Sequence, residues 1–470
     1  MAATAIVVPV EPFLFPAAVA AVISTAIGVR WYTVVAAERE RMNALRDAAS
    51  ACRLTDLREK SLPGGFNRRL TAASGDVRVQ LACYEREKLL GTTITMKLPV
   101  VQGGLELRPE TVATSFERWT GAREIEIGDA FFDKAFWVTG VPTAVRAALD
   151  FDTRRRLVGL GTSSVALTGG TLWADVRGIP AEARAPLSDM LEVAERLVRP
   201  LDIPAALARN ARHDKYPGVR LQNLLCLLRE FPEHSSTADA LHAAATDDNA
   251  EVRLRAAMTM GEQGHELLLQ LARNPRVDDS CAGRAISALG RNLGAESAQA
   301  HLQWARKAQR IATAQACIQT LGLHRAPEAV DVLISVLVMD DVPLAVHAAQ
   351  ALGRISTPAA QQGLLDVLGT TRTAVAVAAA TALGACASVD AVMPLRECVR
   401  LHGGHDLERA VRQAVAQIQS RAGEGVRPGR LSLTDADAGR VSLANEAGQL
   451  SLPSAEAGQV SLPASRDDEG

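Results

Sequence analysis

The sequence predicts a multidomain protein: an N-terminal transmembrane helix, a small α+β domain, an all-α superhelical solenoid of short repeats and a disordered C-terminal tail. Three observations carry this reading. An uncharged, mostly apolar run of 17 residues, Phe13 to Val29, stands near the start of the chain. Glycines 261, 290, 322, 353 and 384 close similar small-residue strings at spacings of 29, 32, 31 and 31, and a fixed period in this range marks stacked repeats. After Arg421 the chain turns rich in Gly, Ser and Ala, and a five-residue motif recurs four times. The expected segments are 1–37 with a span at about 13–35, a helical linker 38–60, an α+β domain 61–200, a solenoid 201–421 and a tail 422–470.

The 470 residues carry 51 Lys+Arg against 53 Asp+Glu, a net charge of −2, with 48% hydrophobic residues. The apolar content suffices for sizeable cores and excludes a wholly disordered chain. Near-neutral charge opposes a general polyanion binder. Seven cysteines without a CxxC pair point to reduced thiols rather than a disulfide framework. Aromatics at 4% and abundant Ala favour closely packed helices.

At the N-terminus, Pro16 and Gly28 bracket the apolar run, and Trp31 and Tyr32 suit an interfacial position. A spanning helix needs roughly 17–25 residues, so the run is adequate but not generous. No Lys or Arg precedes Arg30, whereas Arg30, Arg39, Arg41, Arg46, Arg53, Arg58 and Lys60 follow it. The positive-inside rule then predicts a single-pass membrane protein, N-terminus outside and the bulk of the chain cytoplasmic. A cleaved signal peptide lacks its basic leading region; a buried or interfacial helix is the other alternative. Glu38 to Glu59 reads as a charged helical extension.

Between Pro63 and Arg199 the period changes. Val77 to Leu81 and Thr92 to Leu98 alternate as half-buried strands do. Ser164 to Thr168, Gly169-Gly170, then Thr171 to Val176 reads as a hairpin, with the two glycines supplying positive φ. Glu110 to Trp119 and Glu182 to Val198 are predicted helices. The string Gly128-Asp129-Ala130-Phe131-Phe132-Asp133-Lys134-Ala135-Phe136-Trp137-Val138-Thr139-Gly140 offers Asp129 and Asp133 as a carboxylate pair for a metal or for acid/base work. The structural alternative has Asp129 bonding a turn and Asp133 capping a segment, with Phe132, Phe136 and Trp137 filling the core. The string resembles a GD-x-x-FD-x-x-F-x-V-x-G segment of bacterial membrane-associated domains, which implies a domain type and no activity.

In the repeats, Asn249 is placed to cap a helix, Glu251 suits its positive end, and Val252 and Ala256 share one face. The recurrent Gly is expected to end the helix in a left-handed conformation. One helix pair cannot bury its apolar face alone, whereas stacked pairs can. The pattern resembles the short bacterial HEAT repeat, D-x-V-R-x-x-A-x-x-A-L-G, of the type also seen in phycobilin lyases. Asn249 to Gly261 matches best, with Asn for Asp and Met for Leu; Asp341 to Gly353 keeps the Asp and the Ala-Leu-Gly but has Leu344-Ala345 at the Val-Arg region, and Val219 to Glu230 and Leu407 to Gln419 read as degenerate capping repeats. The resemblance spans about Asp214 to Arg421 and implies a surface for protein partners.

Catalytic variants of such arrays find little here. The His-Glu pairs of a di-iron hydroxylase reduce to His265-Glu266, because His301, His324 and His347 lack a following Glu. Residues 213–420 hold 19 basic against 21 acidic residues, which opposes a phosphate-tracking groove. Cys398, His402, His405 and Asp406 are the nearest approach to a metal cluster; Gly403-Gly404 makes this stretch a helix–helix turn, with Asp406 capping the last helix. No Gly-rich phosphate loop and no GxSxG occur.

The tail motifs are Gly429 to Leu433, Gly439 to Leu443, Gly448 to Leu452 and Gly458 to Leu462. Each is a minimal strand, expected to be disordered in isolation and either a docking motif or a product of duplication. Ser432 and Ser442, each two residues after an Arg, are candidate phosphorylation positions. The sequence therefore predicts a non-catalytic, membrane-anchored scaffold or adaptor with protein partners, and no catalytic, cofactor-binding or metal residues, nucleic acid or specific small molecule. The alternative is an accessory or sensor protein whose α+β domain binds a small ligand.

Overall fold

In the computed structural model the described residues are 14–61, 68–86, 89–110, 124–161, 164–177, 180–369 and 372–424, with 431–433 and 441–443. The chain divides into two compact units, Met1–Ala256 and Ala257–Gly470.

The first unit is built on one eight-stranded antiparallel sheet. Its strands are β1 (Thr55–Ser61), β2 (Arg68–Ser74), β3 (Val77–Arg86), β4 (Leu89–Lys97), β5 (Glu106–Pro109), β6 (Phe136–Thr139), β7 (Val165–Thr168) and β8 (Thr171–Arg177), in the order β1-β2-β3-β4-β8-β7-β5-β6. Alternation sends Leu70, Leu81, Ile94, Met96 and Leu172 to one face. There they pack with Met42, Leu45 and Ala49 of helix α1 (Leu14–Ala51) and with Leu187, Met190 and Val193 further along the chain. Each such side chain, fully buried, stabilises by about 1.5–3 kcal/mol. The β7–β8 turn has Gly169 and Gly170 at φ 53° and 71°, as the hairpin reading requires.

Four short helices follow the chain between these strands and behind them: α2 (Ala130–Ala135), α3 (Pro142–Ala148), α4 (Phe151–Gly159) and α5 (Arg184–Val198). The predicted helix at Glu182 to Val198 is thus present, with Pro180–Ala183 as a 3-10 lead-in. The one at Glu110 to Trp119 lies, apart from Glu110, outside the described residues.

The N-terminal expectation is corrected in two ways. Among the described residues no helix is long and apolar enough to cross a membrane, so the transmembrane span, and the single-pass localisation built on it, are overturned. The physical reason lies in α1 itself. Its apolar run is short and Arg30 follows directly. The same uninterrupted helix continues into the charged stretch from Glu38, whose Met42, Leu45 and Ala49 fold onto the sheet. The charged extension also ends sooner than expected: the helix stops at Ala51, and Thr55–Ser61 is the edge strand β1.

The first unit also holds helical hairpins: α6 (Ile203–His213), α7 (Pro217–Glu230), α8 (Ser235–Ala245) and the start of α9 (Ala250–Thr259). Leu207, Leu224, Leu227, Ala240, Val252 and Ala256 form their core. Asn249 caps α9 as expected, its Oδ1 accepting from the Glu251 and Val252 amides at 3.0 and 3.3 Å.

The second unit continues the helix pairs: α10 (His265–Arg273), α11 (Asp279–Leu289), α12 (Ala295–Lys307), α13 (Ile311–His324), α14 (Val330–Leu337), α15 (Val342–Ile355), α16 (Pro358–Asp366), α17 (Thr373–Cys386), α18 (Val392–His402) and α19 (His405–Glu424). Helices α11, α13, α15, α17 and α19 form one row, each packed on the next. Arg310 reaches the carbonyls of Pro275 and Val277 at 3.2 and 2.7 Å, and Arg372 that of Leu337 at 3.0 Å, so cations tie successive pairs together. Asp279 accepts from the Ala312 and Thr313 amides at 2.7 and 3.1 Å, and Asp341 caps α15 through the Leu344 amide.

The recurrent glycine does two different jobs. Gly261 and Gly290 have φ 59° and 49° in open space and turn the chain at helix ends. Gly322, Gly353 and Gly384 instead sit inside α13, α15 and α17, where a Cβ at Gly353 would lie 2.8 Å from the Ala382 Cβ. The absent side chain is what lets neighbouring helices of the row approach. Gly353→Ala is therefore expected to destabilise the second unit by about 1–3 kcal/mol through overpacking. Gly261→Asn should stay within about 1 kcal/mol, since Asn tolerates left-handed φ. Urea unfolding of the two variants would measure the contrast.

In the tail, β9 (Leu431–Leu433) and β10 (Val441–Leu443) pair antiparallel, with Ser432 opposite Ser442. A tail without structure is thus corrected at the first two motifs, whose backbone groups satisfy one another across the ladder. Motifs three and four lie outside the described residues.

Candidate functional site

The row of helices carries a groove in the second unit. α15, α17 and the first turns of α19 enclose about 940 Å³ between them. Its floor is made by the small residues of the repeat, Ala378, Ala382 and Gly353, because no large side chain fills that level. Gln350, Arg354 and Thr381 stand around it. Asp406 and Arg409 face each other at 2.9 Å in a solvent-exposed ion pair at the α19 side. The mixture of an apolar floor and hydrogen-bonding walls suits a polypeptide better than a small charged substrate. Sequence reasoning placed a binding face on the array but not these residues; their shared signal is the Ala/Thr-rich character of the α17 repeat.

The candidate carboxylate pair has another role. Gly128 turns the chain at φ 97°, and Asp129 then caps α2, its Oδ1 accepting from the Phe132 amide at 3.2 Å. Its Oδ2 accepts from Arg154 Nε at 3.1 Å. Asp133 folds back to accept from the Ile127 and Gly128 amides at 2.9 and 2.8 Å. Burial pushes the Asp133 carboxyl above its usual range, while those two N–H groups pull it back. Phe132, Phe136 and Trp137 are buried, with the two phenylalanine rings 5.0 Å apart. Both carboxylates are therefore engaged by backbone N–H groups, with the two roles of the structural alternative exchanged: Asp129 caps the helix and Asp133 bonds the preceding turn.

Arg154, which the sequence analysis did not single out, is the centre of this region. It is only 1% exposed. Its remaining nitrogens form a fork on Asp214 at 3.0 and 2.9 Å, and one also donates to the Leu149 carbonyl at 2.8 Å. Tyr216 lies beside it with the guanidinium 5.9 Å from the ring centre, and the Tyr216 amide donates to Asp214. Asp129–Arg154–Asp214 is thus a buried triad joining the turn before α2 to the α6–α7 hairpin within the first unit. Next along α7, Arg220 binds Asp247 at 2.7 Å and the Asp214 carbonyl at 2.9 Å.

The remaining candidates do not converge. Cys398 Sγ donates to the Leu368 carbonyl at 2.9 Å. Asp406 lies in the first turn of α19, paired with Arg409 rather than capping the helix, and His405 is 3.8 Å from it. The side chain of His402 lies outside the described ones. His265 meets Asn292, and His301, His324 and His347 meet the carbonyls of Ser297, Leu293 and Pro343. Among the described residues no group of three or more His, Cys, Asp or Glu is placed to hold a metal ion.

Comparison with known proteins agrees with the helical array. Residues 298–376 match the family model described as HEAT repeats. Together with the helix pairs on either side, this supports a HEAT-repeat protein, the family that the repeat string resembles. The match covers the whole of α13 and α15, two of the helices that build the row, and ends in the first turn of α17. It does not reach Gly128 to Gly140, so the GD-x-x-FD resemblance has no support beyond the string itself. No curated protein matches the chain.

Proposed function

We propose that this chain is a non-catalytic scaffold or adaptor whose HEAT-type array receives a protein partner in the groove of α15, α17 and α19. HEAT repeats generally mediate protein–protein interaction, which supports the coarse reading. The observation that carries the finer one is the groove: small residues form its floor, hydrogen-bonding side chains rim it, and no catalytic constellation converges on it. A pocket holding Asp129 and Asp133 would favour the small-ligand alternative; both carboxylates instead accept from backbone N–H groups, which supports the scaffold reading.

The test uses the whole chain, because a fragment beginning near Asp202 would separate Asp214 from Arg154. Thr381 and Ala385 are exposed groove residues. Replacing both with Arg should fill the groove without touching a packed helix face. The expected result is that a protein captured saturably by the wild-type chain loses at least tenfold in affinity for the Thr381→Arg/Ala385→Arg variant. Unchanged capture would move recognition away from the groove.

A further inference from the structure

The second surface lies on the sheet of the first unit, on the side away from its core. Register defines it. Arg58, Thr71, Gln80, Thr95 and Trp173 form one cross-strand row. Lys60, Arg69, Ala82, Thr93 and Asp175 form the next, and Arg78, Lys97 and Thr171 a third. Strand alternation puts all three rows on one face, opposite the buried Leu70, Leu81 and Ile94. Glu59, between Arg58 and Lys60, confirms the direction, because it pairs with Arg46 of α1 on the core side.

This face is strongly cationic although the whole chain is not. Arg58, Lys60, Arg69, Arg78 and Lys97 are all exposed. None forms an ion pair among the described residues; Asp175 is the carboxylate in these rows, and it accepts from the Thr93 hydroxyl at 2.7 Å. The Gln80 side-chain amide lies 3.0 and 3.2 Å from the Arg69 guanidinium, and with its oxygen turned toward Arg69 it accepts from it. A shallow depression of about 360 Å³ opens here, lined by Arg69, Gln80, Thr93 and Thr95 among others. α1 and α5 pack on the opposite side. A chain with nearly balanced charge that gathers five unpaired cations on one flat face holds them for an anionic partner.

We propose that the open face of β1–β4 docks an acidic, extended polypeptide segment carrying Asp or Glu at alternate positions. Alternate residues of an extended chain are about 6.6–6.8 Å apart, the same repeat that separates Arg58 from Lys60 and one row from the next. The hydroxyl and amide groups between the cations match a peptide backbone. Nucleic acid fits less well, since stacking of bases needs available aromatic faces among the cations. Trp173 is half-buried and the Tyr84 ring lies over Gly91.

Fluorescence anisotropy on the full chain tests it, with a labelled (Glu-Ser)6 peptide and a seven-nucleotide oligothymidylate as probes. The expected result is saturable, salt-sensitive binding of the peptide. It should weaken at least tenfold in Arg69→Glu/Arg78→Glu, weaken less in Arg69→Gln/Arg78→Gln, and stay unchanged in Arg291→Glu, an exposed charge in the second unit. The neutral pair keeps the test decisive if charge reversal harms folding. No saturable peptide binding, or equal loss in Arg291→Glu, would overturn the proposal. Tighter binding of the oligothymidylate by tenfold or more would also overturn it, in favour of nucleic acid.

Discussion

Replacing Arg154 with methionine is expected to destabilise the first unit by about 3–5 kcal/mol, because it leaves two buried carboxylates without their cation. Asp214 loses a two-pronged partner at 2.9 and 3.0 Å, and Asp129 loses one at 3.1 Å. Methionine keeps much of the volume, so the effect reads charge rather than a cavity. The triple variant Asp129→Asn/Arg154→Met/Asp214→Asn should be markedly less destabilised than Arg154→Met alone, since no charge is then stranded. Hydrogen exchange of the amides at 127–133 and 214–220 is the measurement. A loss of protection confined to one side of the triad, or a cost under about 1 kcal/mol, would show that the triad does not join these elements.

Gly128→Ala is the second large effect. Its φ of 97° is strained for any L side chain. Its Cβ would also collide with the Gly218 carbonyl and lie 2.7 Å from the Val219 amide nitrogen. Strain of about 1–3 kcal/mol and overpacking of about 1–3 kcal/mol together predict roughly 2–6 kcal/mol. Gly75→Ala is the control: its φ is 56° but nothing lies within 4 Å of the added carbon. Thermal unfolding should separate the two variants clearly. Equal effects would mean that the contact with Gly218 is slack and that conformation alone holds the glycine.

These two positions show what the sequence could and could not convey. The repeat period, the Asn249 cap and the Gly169-Gly170 hairpin are local signals, and each is read from neighbouring residues. So are the alternating strands at Val77 and Thr92. The assembly of eight strands into one sheet is not local: β4 joins β8 and β5 joins β7 across long intervals, and no pattern in the strands announces it. Arg154 sits in Asp152-Thr153-Arg154-Arg155-Arg156, where nothing distinguishes the buried arginine from the exposed Arg155 and the half-buried Arg156. Its partner Asp214 is 60 residues away. The motif glycine was legible as a recurrence, yet only the structure separates the turning role of Gly261 from the packing role of Gly353. The apolar start of α1 misled for a related reason. Hydropathy counts a window, whereas the helix is one continuous element whose second half belongs to the sheet's core.

The cationic face was hidden in the same way. Its five positive residues are scattered over 40 positions of the chain and cancel in any total charge. Only strand register gathers them.

The central claim, that the array receives a protein partner in its groove, is tested most directly by site-specific photocrosslinking. A benzophenone side chain would be placed at Thr381 in the full chain, and separately at Met393, an exposed position on the other row of helices. The account predicts that Thr381 yields one dominant protein adduct, competed by unlabelled wild-type chain, and that Met393 does not yield it. The same adduct from both positions, or none from Thr381 under conditions where the chain captures its partner, would contradict it.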